Sequence, residues 1–232
     1  RGGRDWYETI PLSIIVTENL IITVCMQDTP VLHPFMEGTI RGFNTFMRSR
    51  FILQILYRNA TMYLRYLRII DRESDKLELK LRHSMQNREI VMLMELSKTL
   101  VYFTTSLKSN EIVMEKLTTL QRIKQYPDDE DLLDDVIIEN KQAIEMANIY
   151  SNIMAGTMDA YASVVSNNLN IIMKVLTILT IIMTIPNIVF GFFGMNIGEG
   201  QIPGDWVWWM PLAITVVGCF FAWWMLKKKN LD

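Results

Sequence analysis

The chain has 232 residues, and 23 Lys and Arg against 25 Asp and Glu leave a formal net charge of −2. That near-balance, with no basic stripe interleaved with aromatics, argues against a nucleic-acid partner. Half of the residues are hydrophobic, but they are unevenly placed. Charge crowds residues 71–148, whereas between 171 and 226 the acidic and lysine residues are Lys174, Glu199 and Asp205 alone. The length suits one or two domains, and the uneven hydropathy divides the chain into a polar part and a membrane part. The cysteines, Cys25 and Cys219, fall in different expected compartments, and Cys219 in an apolar helix reads as packing. No disulfide framework follows, which fits a reducing cytoplasm around the polar part. No secretory signal pattern opens the sequence.

Ile10 to Val16 and Leu20 to Cys25 are β-branched and aliphatic runs separated by Thr17-Glu18-Asn19, a pattern that predicts a hairpin. Residues 1–36 therefore read as the end of an N-terminal α/β cytoplasmic domain. Earlier strands are expected outside this sequence, since Arg1 stands where a methionine would begin a protein. Pro30 and Pro34 interrupt the regular pattern.

From about Gly38 to near Asn87 the period becomes helical. Leu56, Tyr63, Ile70 and Leu77 recur every seven residues, with Arg58, Arg65, Arg68 and Arg72 between them. A second amphipathic helix carries Ile90, Leu93, Ser97, Leu100 and Thr104. A break is expected at Ser109-Asn110-Glu111, a helix-start pattern, and Ile112 to Ile123 is helical again. Tyr126-Pro127-Asp128-Asp129 ends that stretch. The next helix begins near Asp131 and carries Ala143, Ala147, Tyr150, Met154, Tyr161 and Val165 at coiled-coil spacing. No strong breaker follows before Pro186, so one helix of ~60 residues, roughly 90 Å at 1.5 Å per residue, is expected to run into the membrane. Residues 37–169 form a helical stalk on this reading, and the fold class is mainly α.

Residues 170–229 read as a transmembrane hairpin. Residues 171–193 and 206–226 are each long enough to cross a ~30 Å hydrocarbon layer. Trp206, Trp208 and Trp209 mark one interface of the second span, and Trp223 and Trp224 the other. Lys227, Lys228 and Lys229 follow, while the loop 194–205 has no Lys or Arg. By the positive-inside tendency both termini are cytoplasmic and the loop is external. Two crossings cannot enclose a pore, so the hairpin points to an oligomeric channel.

The first span carries Asn170, Met173, Thr177, Thr180, Thr184, Asn187 and Gly191, several near one face. Polar groups at bilayer depth usually face a bundle interior or a watery path. Helix–helix contact and threonines bonded to their own helix are the plainer accounts of the same pattern. As a lining it is neutral and oxygen-bearing, without Asp, Glu or His to strip a divalent ion. Mg²⁺ keeps several of its waters, and amide and hydroxyl oxygens can accept hydrogen bonds from them. Met173 and Leu176 suit a hydrophobic constriction that closes by dewetting. The second span, with Thr215 as its main polar group, suits an outer, lipid-facing ring.

Gly194-Met195-Asn196 closing the first span, Met173-Lys174-Val175-Leu176-Thr177 near its start, Ser166-Asn167-Asn168-Leu169-Asn170 before it and a lysine-ended second span together resemble the CorA family of magnesium channels. The match covers about residues 160–229. The resemblance implies a homopentamer in a prokaryotic cell membrane, with five copies of the first span around the pore. It implies Gly194, Met195 and Asn196 as the selectivity filter. The basic inner ring would be Lys227, Lys228 and Lys229. It implies Mg²⁺ as both transported and regulatory ion, with no organic cofactor. Influx would be passive and driven by the membrane potential, closed by intracellular Mg²⁺. Asp135, in the run Asp128-Asp129-Glu130-Asp131 and Asp134-Asp135, sits where the family carries a regulatory aspartate. An acidic helix start also stabilises the helix dipole.

Two features depart from the family. Phe193 replaces a frequent tyrosine, and the loop differs from the familiar Met-Pro-Glu-Leu ending. Glu199 and Asp205 could still attract cations outside. The alternatives are a transporter of the same fold for Co²⁺, Ni²⁺ or Zn²⁺, and a membrane-anchored helical scaffold. Met195 favours magnesium over the zinc-transporting branch. An enzyme is not expected: His33 and His83 are isolated, and no nucleophile elbow or phosphate loop is present.

Overall fold

The computed structural model describes residues 7–40, 42–84, 87–120, 127–194 and 206–228. Two strands and five helices follow in order: β1 Leu12–Val16, β2 Ile21–Cys25, α1 His33–Met36, α2 Arg48–Ser84, α3 Asn87–Thr118, α4 Pro127–Phe193 and α5 Trp206–Lys228. They divide into two compact units, residues 1–159 and 160–232, and α4 contributes to both.

In the first unit, β1 and β2 form an antiparallel hairpin with Leu12 opposite Cys25 and Val16 opposite Ile21. Its turn is closed by Thr17, whose N–H and hydroxyl both donate to the Leu20 carbonyl, while Thr17 Oγ1 accepts from the Leu20 N–H. The pleat sends Leu12 and Ile14 towards a core built on Val31, Phe35 and Ile55, as alternation along a strand requires. Phe35, Phe43 and Phe51 complete it, with ring centroids 5.1–5.5 Å apart.

The long helices start and stop where local chemistry dictates. The helix expected from Gly38 begins instead at Arg48, because Gly38 and Gly42 adopt positive φ (68° and 70°) and cannot continue a right-handed helix. The break expected at Ser109 does not form, and α3 runs through it. Ser109 does not cap a new helix; its hydroxyl donates to the Thr105 carbonyl at 3.0 Å, which mid-helix serines can do. Pro127 opens α4 at the position where its missing N–H costs nothing.

Within this unit the helices bury their stripes on each other. Leu53, Leu67, Ile70 and Leu81 of α2, Leu93, Leu100 and Leu107 of α3, and Leu133, Val136, Ala143 and Ala147 of α4 are all buried. Polar groups meet partners across the same seams. Asn140 of α4 donates to the Leu107 carbonyl of α3 at 3.1 Å. Tyr150 of α4 hydrogen-bonds Asp71 of α2, whose carboxyl is pushed above its ordinary range by burial and by Asp75. Burial, and the same carboxylate, raise the Tyr150 hydroxyl.

In the second unit most large apolar side chains are exposed, from Ile171 and Met173 on α4 to Phe220, Trp223 and Trp224 on α5. Among the described residues three helices are long and apolar enough to cross a membrane by length and composition: Arg88–Thr118, Asp128–Phe193 and Trp209–Lys228. They differ in cover. A third of the apolar window in the first is buried inside the protein, against none and 6% in the other two. The stripe of α3 with Leu93, Leu100 and Leu107 is buried within the chain, whereas most large apolar side chains of α5 and of the C-terminal part of α4 are exposed.

Candidate functional site

The site is built on the C-terminal part of α4. Two sets of residues on this helix differ in cover. Lys174, Ile178, Ile182, Ile185, Pro186, Val189 and Phe193 are half-buried, while Asn170, Met173, Leu176, Thr177, Thr180, Thr184, Asn187 and Gly191 are exposed. At about 3.6 residues per turn the two sets centre on roughly opposite sides of the helix. The half-buried set faces α5, which presents Thr215, Gly218, Cys219, Ala222 and Leu226 as its own half-buried stripe. Two contacts register the pair. A Cβ on Gly218 would come within 3.0 Å of Ile185 Cγ2, so glycine there lets the helices approach closely. Cys219 Sγ donates to the Ile182 carbonyl oxygen at 3.8 Å.

The candidate lining therefore lies on the side of α4 that α5 leaves uncovered. Its threonines bond back along the helix: Thr177 to the Met173 carbonyl, Thr180 to that of Leu176 and Thr184 to that of Thr180, at 2.7–2.8 Å. Each hydroxyl hydrogen is thereby committed, and the oxygen presents its lone pairs outward. Such a surface accepts hydrogen bonds, which suits the donor hydrogens on the shell of a hydrated cation. Met173 and Leu176 interrupt it with exposed apolar side chains.

At the end of the helix the Gly194 N–H donates to the Phe190 carbonyl at 2.8 Å, and a Cβ on Gly194 would lie 3.0 Å from that oxygen. Gly194 thus allows a tight approach of backbone to backbone, whereas Gly191 is open to space. Met195, Asn196, Glu199, Asp205 and Lys229 lie outside the described residues. Lys227 and Lys228 stand over the rings of Trp223 and Trp224, with Nζ 5.1 and 5.3 Å from the centroids. This cation–π stacking fixes the ammonium groups beside the aromatic belt.

The acidic start of α4 divides into two groups. Asp128 and Asp129 are held by Arg50 of α2, with Nη2 3.2 Å from Asp128 Oδ2 and Nε 2.9 Å from Asp129 Oδ1. The side chain of Asp129 is fully buried, and its hydrogen bond raises the Arg50 guanidinium pKa. Asp134 and Asp135 are exposed. Among the described residues no three His, Cys, Asp or Glu side chains gather as a metal site.

Four contacts escaped the sequence. Arg50 lies 78 residues from Asp128, and no periodicity links them. Cys219 reads as a packing residue in an apolar run, and Gly218 beside it is not singled out. The available signal was Pro186, which announces a carbonyl without its usual donor but not the side chain that meets it. His33, expected to be isolated, lies 2.7 Å from Asp28 through Nε2.

The family model described as "CorA-like Mg2+ transporter protein" matches residues 4–228. The chain is 26% identical over 219 residues to the cobalt/magnesium transport protein CorA of Methanocaldococcus jannaschii, covering 90% of this chain and 68% of that one. It is 27% identical over 218 residues to the protein of the same name from Thermotoga maritima, covering 91% and 61%. The chain spans about two thirds or less of the length of these relatives. The complete structure of the CorA magnesium transporter from M. jannaschii matches with a TM-score of 0.74 at 22% identity, covering 96% of this chain and 76% of that one. Its soluble domain matches with a TM-score of 0.50 at 23% identity, covering 68% and 70%. These two likenesses establish the fold.

Proposed function

The chain belongs to the family of CorA-like Mg²⁺ transporter proteins, and from that premise we propose that it forms a homopentameric channel for Mg²⁺. Both termini are cytoplasmic in a prokaryotic cell membrane. Entry is passive, follows the membrane potential, and stops when intracellular Mg²⁺ binds the cytoplasmic part. Co²⁺ is a second cargo, consistent with the names of both relatives and with a lining that does not select by ligand softness.

The observation that carries this reading is the uncovered polar stripe. Asn170, Thr177, Thr180, Thr184 and Asn187 face away from α5, and lipid would be a costly neighbour for the two amides. Copies of α4 arranged around an axis bring the stripes together and keep them wet. The hydroxyl and amide oxygens then accept hydrogen bonds from the waters that Mg²⁺ retains. Met173 and Leu176 form the constriction that dewets on closure. Gly194, Met195 and Asn196 form the outer filter, with Glu199 and Asp205 concentrating cations before it. Lys227, Lys228 and Lys229 form the inner basic ring. Asp134 and Asp135 are the regulatory carboxylates. They are exposed, and a neighbouring subunit completes their ligand set.

The test is Mg²⁺ flux into proteoliposomes carrying the full-length protein, compared with Asn196→Ala. Flux in the parent, and its loss in a variant that still assembles, is the expected result. An intact parent oligomer that passes no Mg²⁺ at low internal Mg²⁺, beside a working control channel, overturns the reading.

A further inference from the structure

Pro186 lies inside α4, in its membrane half. Its ring nitrogen carries no hydrogen, so the carbonyl four residues earlier, that of Ile182, loses its intrahelical donor. In hydrocarbon no water replaces that donor, and prolines are tolerated there when a neighbouring helix supplies a partner. The partner here is Cys219 of α5, whose thiol donates to the Ile182 carbonyl oxygen at 3.8 Å. The adjoining Gly218 sets the approach, since a Cβ there would meet Ile185 Cγ2 at 3.0 Å. One turn of α5 thus engages the one turn of α4 that proline deprives of a donor.

The position of this contact along the helix gives it a consequence. Thr184 and Asn187 flank Pro186 on the uncovered side of α4, opposite α5. The direction of the helix at Pro186 decides how Asn187, Gly191 and Gly194 continue the line set by Asn170 to Thr184. Free rotation about that point would splay the outer half of the stripe from the inner half. A thiol on the deprived carbonyl removes that freedom, because any change of bend pulls Ile182 away from its only interhelical donor among the described residues.

We propose that Cys219 is a positioning residue for ion passage: its thiol caps the Ile182 carbonyl that Pro186 leaves without a donor, and so fixes the bend of the pore-lining helix. This rests on the reading of α4 as the pore lining. The role is distinct from packing, because it depends on the S–H hydrogen and on the proline together. Alanine, which has no donor, cannot perform it. Replacement of Pro186 by alanine restores the backbone N–H and makes the thiol redundant.

Two measurements on the full-length protein separate the contact from its consequence. In a background where every other cysteine, Cys25 included, is replaced by alanine, the Cys219 S–H stretch is read by infrared spectroscopy in bilayers. The expected band lies at lower frequency than that of a free thiol and moves up in Pro186→Ala. A band at the free position that ignores Pro186→Ala overturns the proposal, whatever the transport result. The second measurement is Mg²⁺ flux into proteoliposomes. Cys219→Ala is expected to lower flux about three- to tenfold. In Pro186→Ala, adding Cys219→Ala should change flux little. Equal loss in both backgrounds assigns Cys219 to packing and overturns the positioning role. A parent without flux but with the shifted S–H band refutes the channel reading and the positioning role while leaving the thiol–carbonyl contact standing.

Discussion

Residues 1–159 and residues 160–232 solve the same problem, placing polar groups on long helices, in opposite ways. In the first unit three polar side chains at the helix seams meet partners in the chain: Asp129 takes Arg50, Asn140 takes the Leu107 carbonyl and Asp71 takes Tyr150. Apolar stripes are buried on neighbouring helices. In the second unit α5 covers one side of α4, and the polar stripe lies on the other. The lesson is that completeness within one chain separates a packing motif from an assembly motif. On the proposed function, the stripe that the chain's own helices do not cover is left for water, ions and further copies.

The sharpest break of that contrast is at the ion pair. Arg50→Ala leaves the fully buried Asp129 carboxylate without its guanidinium, and a loss of ~3–5 kcal/mol is expected from denaturant unfolding of the purified protein. A loss below ~1 kcal/mol would mean that the helix start alone holds the charge. Leu53→Ala opens a cavity where Leu53 meets Leu133 and should cost ~2–5 kcal/mol by the same measurement. The equivalent change at Val217, exposed on α5, should cost far less, since it leaves no cavity within the chain. Equal losses at the two positions would erase the distinction between the units.

On the polar stripe the readout shifts from stability to transport. Asn187→Leu should reduce Mg²⁺ flux tenfold or more, about 1.4 kcal/mol in barrier, with the unfolding midpoint nearly unchanged. A variant that transports normally would remove Asn187 from the path.

The smallest effect is expected at Asp71. Burial and Asp75 raise its carboxyl pKa in the folded protein, so the folded state holds that proton more tightly than the unfolded chain does. Its favourable contribution is complete below the ordinary carboxylate range and is lost as pH rises through the raised value. Asp71→Asn should therefore raise the melting temperature slightly at neutral pH, with the gain shrinking on acidification. A gain that grows on acidification would reverse the assignment.

Much of this was legible in the residues. The hairpin turn at Thr17, the helical state of the two apolar runs and the single long helix leading through the first follow from hydropathy, turn residues and the distance to the next proline. Where local chemistry has two outcomes, the reading was less secure. Ser109 can cap a helix or bond back into one, and here it bonds back to Thr105. Gly38 and Gly42 looked compatible with an early helix start until their positive φ placed it at Arg48. The candidate lining was legible as a list of polar positions. That it lies opposite α5 was not, because periodicity locates a face without saying what covers it.

By itself the sequence determined the type and order of the main elements, though not every boundary: a strand hairpin, a charged helical part, two apolar helices, and polar residues on one side of the first of these. These depend on composition and on the 2.0 and 3.6 residue periods, which are local properties. Only the tertiary structure decided which carboxylates Arg50 claims, which side of α4 receives α5, and which side chain answers the carbonyl deprived by Pro186. Those are contacts between residues far apart in the chain. Their partners are selected by how the helices pack, and no local pattern encodes that choice.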